Sequence, residues 1–529
     1  MTFLRTTLTV SLFALASAMP GIAATPDNAL VVAQNIDDIV TIDPATAYEF
    51  TSGEYVTNVY DQLVQYDAAD PSVLAPGLAS SWDVDVASKS ITFALREGVT
   101  FHSGNPLRPE DVRDSWRRVL VLNKAPAFIL ANLGWTADNL DEMVMLGDGS
   151  VTIRWTGDFA PTFVLNVLAA NPAAIVDVQT AMANEVDGDM GHAWMNANSA
   201  GTGPFKLVNY RPAEVMMLER NADYFGGTPA MERILIRHVA EAATQRLLLE
   251  SGDVDMAKNL TPDQVAGLEG NAALQIETYP QTAVHWFSFN QKTESLTNPA
   301  VWEAARWLVD YEGMANSFLK GQMQVHQAFW PAGFPGALTD TPFSYDLDKA
   351  KQILADGGVQ LPITVTLDVI NSAPFNDIAA SLQQTFAPAG INFEITPGTG
   401  AQVITKYRAR THQAMLLYWG PDFMDPHSNA KAFAYNADNS DDKYVSTTTW
   451  RNSWMPPAEI NEKTLAALAE QDPDTRNAMY VELQKAMQDE APFVIMFQAV
   501  KQVAMADDVK GYVNGPSAAF VYYRLVEKN

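Results

Sequence analysis

Between residues 348 and 419 the chain switches repeatedly between two apolar periods, and this alternation restricts its possible folds more than any other feature. Residues 348–356 read as a helix stopped by Gly357-Gly358. Ile363, Val365, Leu367 and Val369 then alternate as a strand, Ile378, Leu382 and Phe386 mark a helix, and Ile391, Phe393 and Ile395 mark the next strand. Residues 414–419 form another apolar run of strand length. Strand, helix and strand in succession predict a mostly parallel sheet with right-handed crossovers. The rest of the chain carries similar signals. Residues 29–34 read as a buried strand, residues 54–66 as a helix, and residues 82–86 with 90–95 as a hairpin. Pro109 and Asn298-Pro299 mark helix starts, and a last amphipathic helix runs from Asp474 to just before Pro492. At 529 residues the chain exceeds what one core usually organises, so at least two lobes are expected.

The first residues are read as a secretory leader. Arg5 supplies the positive charge, residues 8–18 an apolar run, and Gly21-Ile22-Ala23-Ala24 the small residues of a cleavage site. The run is about half of the ~20 residues that a bilayer crossing needs, so a periplasmic protein that is not membrane-embedded is expected. Cysteine is absent, which excludes thiolate metal sites, cysteine catalysis and lipid attachment through an N-terminal cysteine. The balance of 34 basic against 62 acidic residues excludes nucleic acid as a partner, because phosphates would be repelled. It fits either a preference for cationic solutes or a solubilising acidic surface.

Catalytic constellations are thin. No pair among the seven histidines has the i, i+4 spacing of a helical zinc site, so no metal is expected. Neither a G-x-x-x-x-G-K loop nor a G-x-S-x-G elbow is present. Ser317-Phe318-Leu319-Lys320 matches S-x-x-K without its K-T-G partner, and Asp253 with Asp255 is one acidic pair among many. The chain is therefore expected to have no enzymatic activity and no cofactor. A secreted hydrolase is the competing reading.

A series of phrases runs through nearly the whole chain. Leu74-Ala75-Pro76-Gly77-Leu78-Ala79-Ser80-Ser81-Trp82 is followed by Phe93-Ala94-Leu95-Arg96-Glu97-Gly98-Val99-Thr100-Phe101-His102-Ser103-Gly104 and Glu110-Asp111-Val112. Gly201-Thr202-Gly203-Pro204-Phe205, Arg220-Asn221 and Tyr224-Phe225 come next. Tyr345-Asp346, Gly390-Ile391, Trp419-Gly420-Pro421-Asp422, Asp425-Pro426 and Glu490-Ala491-Pro492 complete the series. In this order the phrases resemble the dipeptide/oligopeptide type of periplasmic solute-binding proteins, family 5 of the extracellular binders. The resemblance implies an α/β, two-lobed periplasmic-binding-protein fold of type II, in the large peptide-binder variant with mixed sheets and hinge crossings. It places a signal peptide at 1–23, lobe one at 24–278 with an inserted subdomain at about 46–171, lobe two at 279–495, and a return to lobe one at 496–529.

It also implies a site. Asp422 matches the aspartate that pairs with a peptide's α-ammonium group, and Tyr418 and Gly420 match positions whose backbone holds an extended ligand. Trp419 stands between cleft wall and core packing. Tyr48 and Phe50, after Asp43-Pro44, match the facing segment of lobe one. Asn259, Trp450 and Arg451 lie in segments that border the cleft in relatives. The chain departs from the family pattern at Val301-Trp302, where Val-Arg is usual, and at Met415-Leu416-Leu417, which lacks a common aspartate. Arg306, Arg408, Arg410 and Arg451 are all candidates to hold a ligand carboxylate. The expected function is that of the substrate-binding component of an ABC transporter. A monomer would take a peptide or amino-bearing small solute to permease and ATPase subunits, with a sugar, opine or metal chelate as the alternative cargo.

Overall fold

The alternating apolar runs become strands of one eleven-stranded mixed sheet in the computed structural model, which describes residues 25–70, 73–442 and 447–529. The proposed leader lies outside the described residues. Ile363–Ile370 lies parallel to both Ile391–Gly398 and Ala414–Trp419, as the strand–helix–strand pattern predicts. The helix Phe375–Phe386 covers this ladder with Phe375, Ile378, Ala379, Leu382 and Phe386 buried. Asn298 caps the helix Pro299–Trp307 by accepting the Ala300 N–H, and Asp346 caps Leu347–Asp356 through Lys349 N–H.

Two long antiparallel strands, Leu274–Phe289 and Phe493–Ala506, join the two ends of the sheet. On one side Leu274–Phe289 pairs with Ala414–Trp419. On the other, Phe493–Ala506 pairs with the short strand Met256–Ala257, which is parallel to Ala29–Gln34 and leads on to Arg233–His238. The register between the long strands breaks between Pro280 and Val284, opposite Gln498 and Val500. Proline donates no N–H there, and the Gln498 amide instead donates to the Gln281 carbonyl at 2.8 Å.

A smaller four-stranded sheet, in the order Ala79–Asp85, Ser90–Leu95, Ser150–Arg154 and Val144–Leu146, stands apart from the large one. Its core does not close on itself. Ile91, Phe93, Trp116 and Val164 belong to the same apolar cluster as Trp286, Phe287, Leu367 and Phe433 of the parallel half. A second cluster, with Leu30, Val32, Tyr55, Val59 and Ile234, lies under the opposite half of the large sheet.

The helix expected over 54–66 is shifted. It runs Phe50–Val59, and Tyr60 is extended at φ −126°, ψ 160°. Its end is fixed from far along the chain, because the Val59 carbonyl accepts the Gly203 N–H at 3.0 Å. Gly201 and Gly203 pass so close to Val59 that a Cβ at either would collide with that backbone, which accounts for the glycines of Gly201-Thr202-Gly203-Pro204.

Candidate functional site

Two segments of opposite sheet halves face each other across a cavity. The first follows the Ala29–Gln34 strand and is held by a buried ion pair. The Arg118 guanidinium donates to both Asp43 oxygens at 2.6 and 2.5 Å, and His192 Nδ1 lies 2.7 Å from Oδ2. Burial opposes the charge of Asp43, yet these partners keep its carboxyl below the ordinary range. The anchored turn leads to Tyr48, Glu49 and Phe50. The second segment leaves the strand Ala414–Trp419 at its carboxyl end and is held by a matching pair. Arg476 donates to both oxygens of Asp425 at 2.8 Å, while Asp425 Oδ1 accepts the His427 N–H at the start of the helix Pro426–Ala434.

The cavity between them measures about 770 Å³, within the range of small-molecule sites. Tyr418, Trp419, Gly420 and Asp422 form one wall, Tyr48 and Phe50 the other, and Arg451 lines it as well. The walls touch where the Tyr48 hydroxyl donates to Asp422 Oδ1 at 2.8 Å. Further out the halves meet through Phe163 on Phe423, with ring centroids 5.2 Å apart, and through the Met424 N–H to the Tyr66 hydroxyl at 3.3 Å. The lobes are thus in contact around the cavity.

Burial pushes the Asp422 carboxyl above the ordinary aspartate value, against the lowering effects of the Tyr48 hydroxyl and of Lys431. The Asp422 N–H donates to the Ser428 hydroxyl at 3.0 Å, which fixes the backbone beneath the carboxylate. Among the described residues the half-buried Asp422 carboxylate has the Tyr48 hydroxyl as its side-chain hydrogen-bond partner and Lys431 acting from farther off, so its charge is weakly compensated. An ammonium group arriving in the cavity would supply the missing charge.

Two of the expected site residues lie elsewhere. Asn259 does not line the cavity; its Oδ1 accepts the Asn35 N–H at 2.8 Å and its own N–H donates to Gln245. Trp450 is buried behind the wall, with its indole donating to the Ser440 carbonyl at 3.0 Å and Arg410 stacked over it at 4.3 Å. Of the arginine candidates, Arg410 pairs with Asp441 at 2.8 Å, and Arg306 is buried against Phe343 with a bond to the Ala491 carbonyl. Only Arg408 and Arg451 of the four line the cavity. The cavity also includes Trp286, Tyr407, Phe128 and Phe520, which no motif marked.

Neither catalytic candidate stands at the cleft. The Ser317 hydroxyl donates to the Gly313 carbonyl at 2.5 Å, as a helix-end serine does, and Asp255 is paired with Lys528 at 2.9 Å. Among the described residues no group of three metal-ligating side chains comes together, and no helix is long and apolar enough to cross a membrane.

Comparison with known proteins places this geometry in context. The family described as bacterial extracellular solute-binding proteins, family 5 Middle, matches residues 73–441. A probable D,D-dipeptide-binding periplasmic protein of Escherichia coli is 28% identical, covering 94% of this chain and 94% of that protein. A dipeptide-binding protein of Pseudomonas aeruginosa is 24% identical, covering 92% of each. Among solved structures, HbpA2 from Haemophilus parasuis superposes with a TM-score of 0.80 at 20% identity, over 95% of this chain and all of the other. The periplasmic binding protein DppA from Helicobacter pylori, in complex with the peptide STSA, gives 0.75 at 22% identity, over 94% and 98%. At these identities the structural likeness speaks for the fold.

Proposed function

The chain belongs to the bacterial extracellular solute-binding proteins of family 5, and on that premise we propose that it captures a short peptide or another amino-bearing solute in the cleft described above and hands it to an ABC importer. The observation that carries the reading is the half-buried Asp422 carboxylate at the cavity wall, which meets the Tyr48 hydroxyl of the facing segment and has a hydroxyl where an ammonium partner would give far more. The cavity lining holds two acids, Glu49 and Asp422, and two arginines, Arg408 and Arg451. This charge pattern favours a zwitterion over a simple cation, in spite of the acidic surface. Relatives named for dipeptides point the same way, and one named for D,D-dipeptides extends the range to both configurations.

In this reading lobe one comprises residues 24–278 and 496–529, with a subdomain inserted at about 46–171, and lobe two comprises 279–495. The break in register at Pro280–Val284 against Gln498–Val500 is the natural hinge, since the ladder there is already interrupted. Closure brings Tyr48 to Asp422 and is favoured only by as much as the ligand prefers the closed state. The protein acts as a periplasmic monomer without cofactor or turnover, and its partners are the permease and ATPase subunits of the importer.

Thermal unfolding of the mature protein against a solute panel tests the proposal. The panel holds di- to pentapeptides of L and D residues, amino acids, polyamines, sugars and nickel. A ligand at 100 times its Kd adds about 2.7 kcal/mol to native-state stability, so dipeptides are expected to raise the midpoint clearly. A shift with sugars or nickel and none with peptides would contradict it.

The raised pKa of Asp422 adds a pH signature. A cationic ligand group binds the ionised carboxylate, so affinity is full above the pKa of the free site and falls as pH drops through it. The fall is expected to begin at a higher pH than for an exposed aspartate, with a proton released on binding in that window. Calorimetry in buffers of different ionisation enthalpy measures that proton. Affinity independent of pH down to the ordinary aspartate range would exclude Asp422 as the anchor.

A further inference from the structure

A second cavity, of about 280 Å³, adjoins the main cleft, and Phe128, Trp419, Asp422 and Phe423 line both. Its other walls are largely apolar. Phe159 precedes the helix Pro161–Leu168 and Phe163 lies in its first turn, while Leu465 and Leu468 come from the helix Ala458–Ala469. The Phe159 and Phe163 rings are 5.0 Å apart, and Phe163 meets Phe423 edge-on. The Ala160 N–H donates to the Leu468 carbonyl at 3.0 Å, so the two sides are joined at the cavity itself. With the lobes assigned as above, each lobe supplies a wall, and the cavity is complete only while the lobes touch.

The polar groups next to Asp422 in this cavity are already engaged. The Ser428 hydroxyl accepts the Asp422 N–H, and His427 Nδ1 lies 3.1 Å from the Tyr480 hydroxyl. Burial pulls the His427 imidazole down to about 3, so it stays neutral. Among the described residues that line the cavity, Asp422 and Lys431 are the two that carry charge. The Lys431 ammonium has neither a hydrogen bond nor an ion pair among the described residues. An occupant of such a space gains by covering aromatic rings, and a second cation brought there meets a like charge.

We infer that this second cavity is a specificity pocket for the side chain of the ligand's amino-terminal residue, that it selects a large apolar or aromatic side chain, and that Lys431 turns basic ones away. The inference rests on the capture reading above and deepens it. An amine held at Asp422 carries its side chain on the adjacent carbon, so side chain and main chain leave the anchor in different directions. The main chain is polar throughout and takes the larger cavity, which the backbone of Tyr418 to Gly420 and the two arginines line. The side chain is left with the aromatic cavity on the other face of the same anchor. Main-chain contacts are common to every peptide, whereas a pocket for one side chain tells peptides apart.

The test is calorimetry on the mature chain with four dipeptides of one configuration: alanyl-alanine, phenylalanyl-alanine, alanyl-phenylalanine and lysyl-alanine. In the wild type, phenylalanyl-alanine is expected to bind roughly tenfold to a hundredfold tighter than alanyl-alanine, as for burial of one aromatic side chain. Alanyl-phenylalanine is expected to gain several-fold less, and lysyl-alanine to bind no tighter than alanyl-alanine. Phe159→Ala is expected to cut the ratio of phenylalanyl-alanine to alanyl-alanine affinity by about threefold or more. Should that variant fail to fold, Leu465→Ala changes a position that is 47% exposed and is expected to move the ratio the same way. In Lys431→Gln the ratio of lysyl-alanine to alanyl-alanine affinity is expected to rise. Equal binding of phenylalanyl-alanine and alanyl-alanine, an equal gain from phenylalanine at either position, or a ratio unmoved in both wall variants overturns the inference while leaving peptide capture intact. A lysyl-alanine ratio unchanged in Lys431→Gln overturns the part given to Lys431. If none of the four binds, the capture reading fails and the pocket assignment falls with it.

Discussion

Replacing Asp422 with alanine is expected to weaken dipeptide binding by about 2–5 kcal/mol, a rise in Kd on the order of 30-fold to several thousand-fold. The size follows from where the carboxylate sits. It is walled in by Trp419, Phe423 and Phe128 in a cleft closed by lobe contact, so its attraction for an ammonium is screened far less than on the surface. Removing it also leaves the ligand's charge buried without a partner, which accounts for the upper end of the range. Asp422→Asn keeps the shape and loses the charge, and is expected to show most of the same loss. Tyr48→Phe removes only the hydroxyl that meets Asp422 and is expected to cost about 1 kcal/mol. Calorimetric titration of the three variants gives the ranking. An Asp422→Ala affinity equal to that of the wild type would remove the anchor.

The second large effect is on stability. Arg476→Ala is expected to cost about 3–5 kcal/mol, because it strands Asp425 as a buried charge without its cation. Asp425 is fully buried, and it is both the cap of the helix Pro426–Ala434 and the tether of the loop that presents Asp422. Binding is therefore expected to weaken along with folding, although Arg476 does not line the main cleft. Thr162→Ala is the matched control. Its hydroxyl meets Arg476 at 3.5 Å from the other side of the lobe contact, and its loss is expected to stay within about 1 kcal/mol. Urea unfolding of the ligand-free variants measures both. A loss below about 1 kcal/mol for Arg476→Ala would mean that the ion pair does not hold the loop.

The sequence made the architecture legible where periodicity and caps agree. Ile363 to Val369 alternates in one continuous run, Gly357-Gly358 closes the preceding helix, and Asn298-Pro299 opens another, so local chemistry alone fixes those boundaries. Residues 54–66 show where it fails. Tyr60 and Leu63 are buried at helical spacing from Val56, yet the helix ends at Val59, because Gly203, far along the chain, takes up the Val59 carbonyl. A single-chain pattern cannot register a partner at that distance.

The site divides in the same way. Tyr418 to Asp422 follow the end of a readable strand, so their place at the cleft could be anticipated by resemblance. The bond between Tyr48 and Asp422 joins residues 374 positions apart and is visible only in three dimensions. Trp286 was equally hidden. It lies in a strand whose apolar run gives no sign of which face meets the cavity, and its unpartnered indole is a property of the assembled walls. Asn259 and Trp450 show the reverse error. Resemblance to relatives put them near the cleft, but hydrogen bonds to Asn35 and Ser440 commit their polar atoms elsewhere.

The central claim is that this cleft closes over a zwitterion held at Asp422. Its most direct test is calorimetric titration of the mature protein, freed of any carried-over solute by unfolding and refolding, with an alanyl dipeptide and with its N-acetylated form. The account predicts saturable one-to-one binding of the free dipeptide and a loss of about 2–5 kcal/mol on acetylation, the same size as the Asp422→Ala effect and absent in that variant. Equal binding of the free and acetylated dipeptides by the wild-type protein would contradict it.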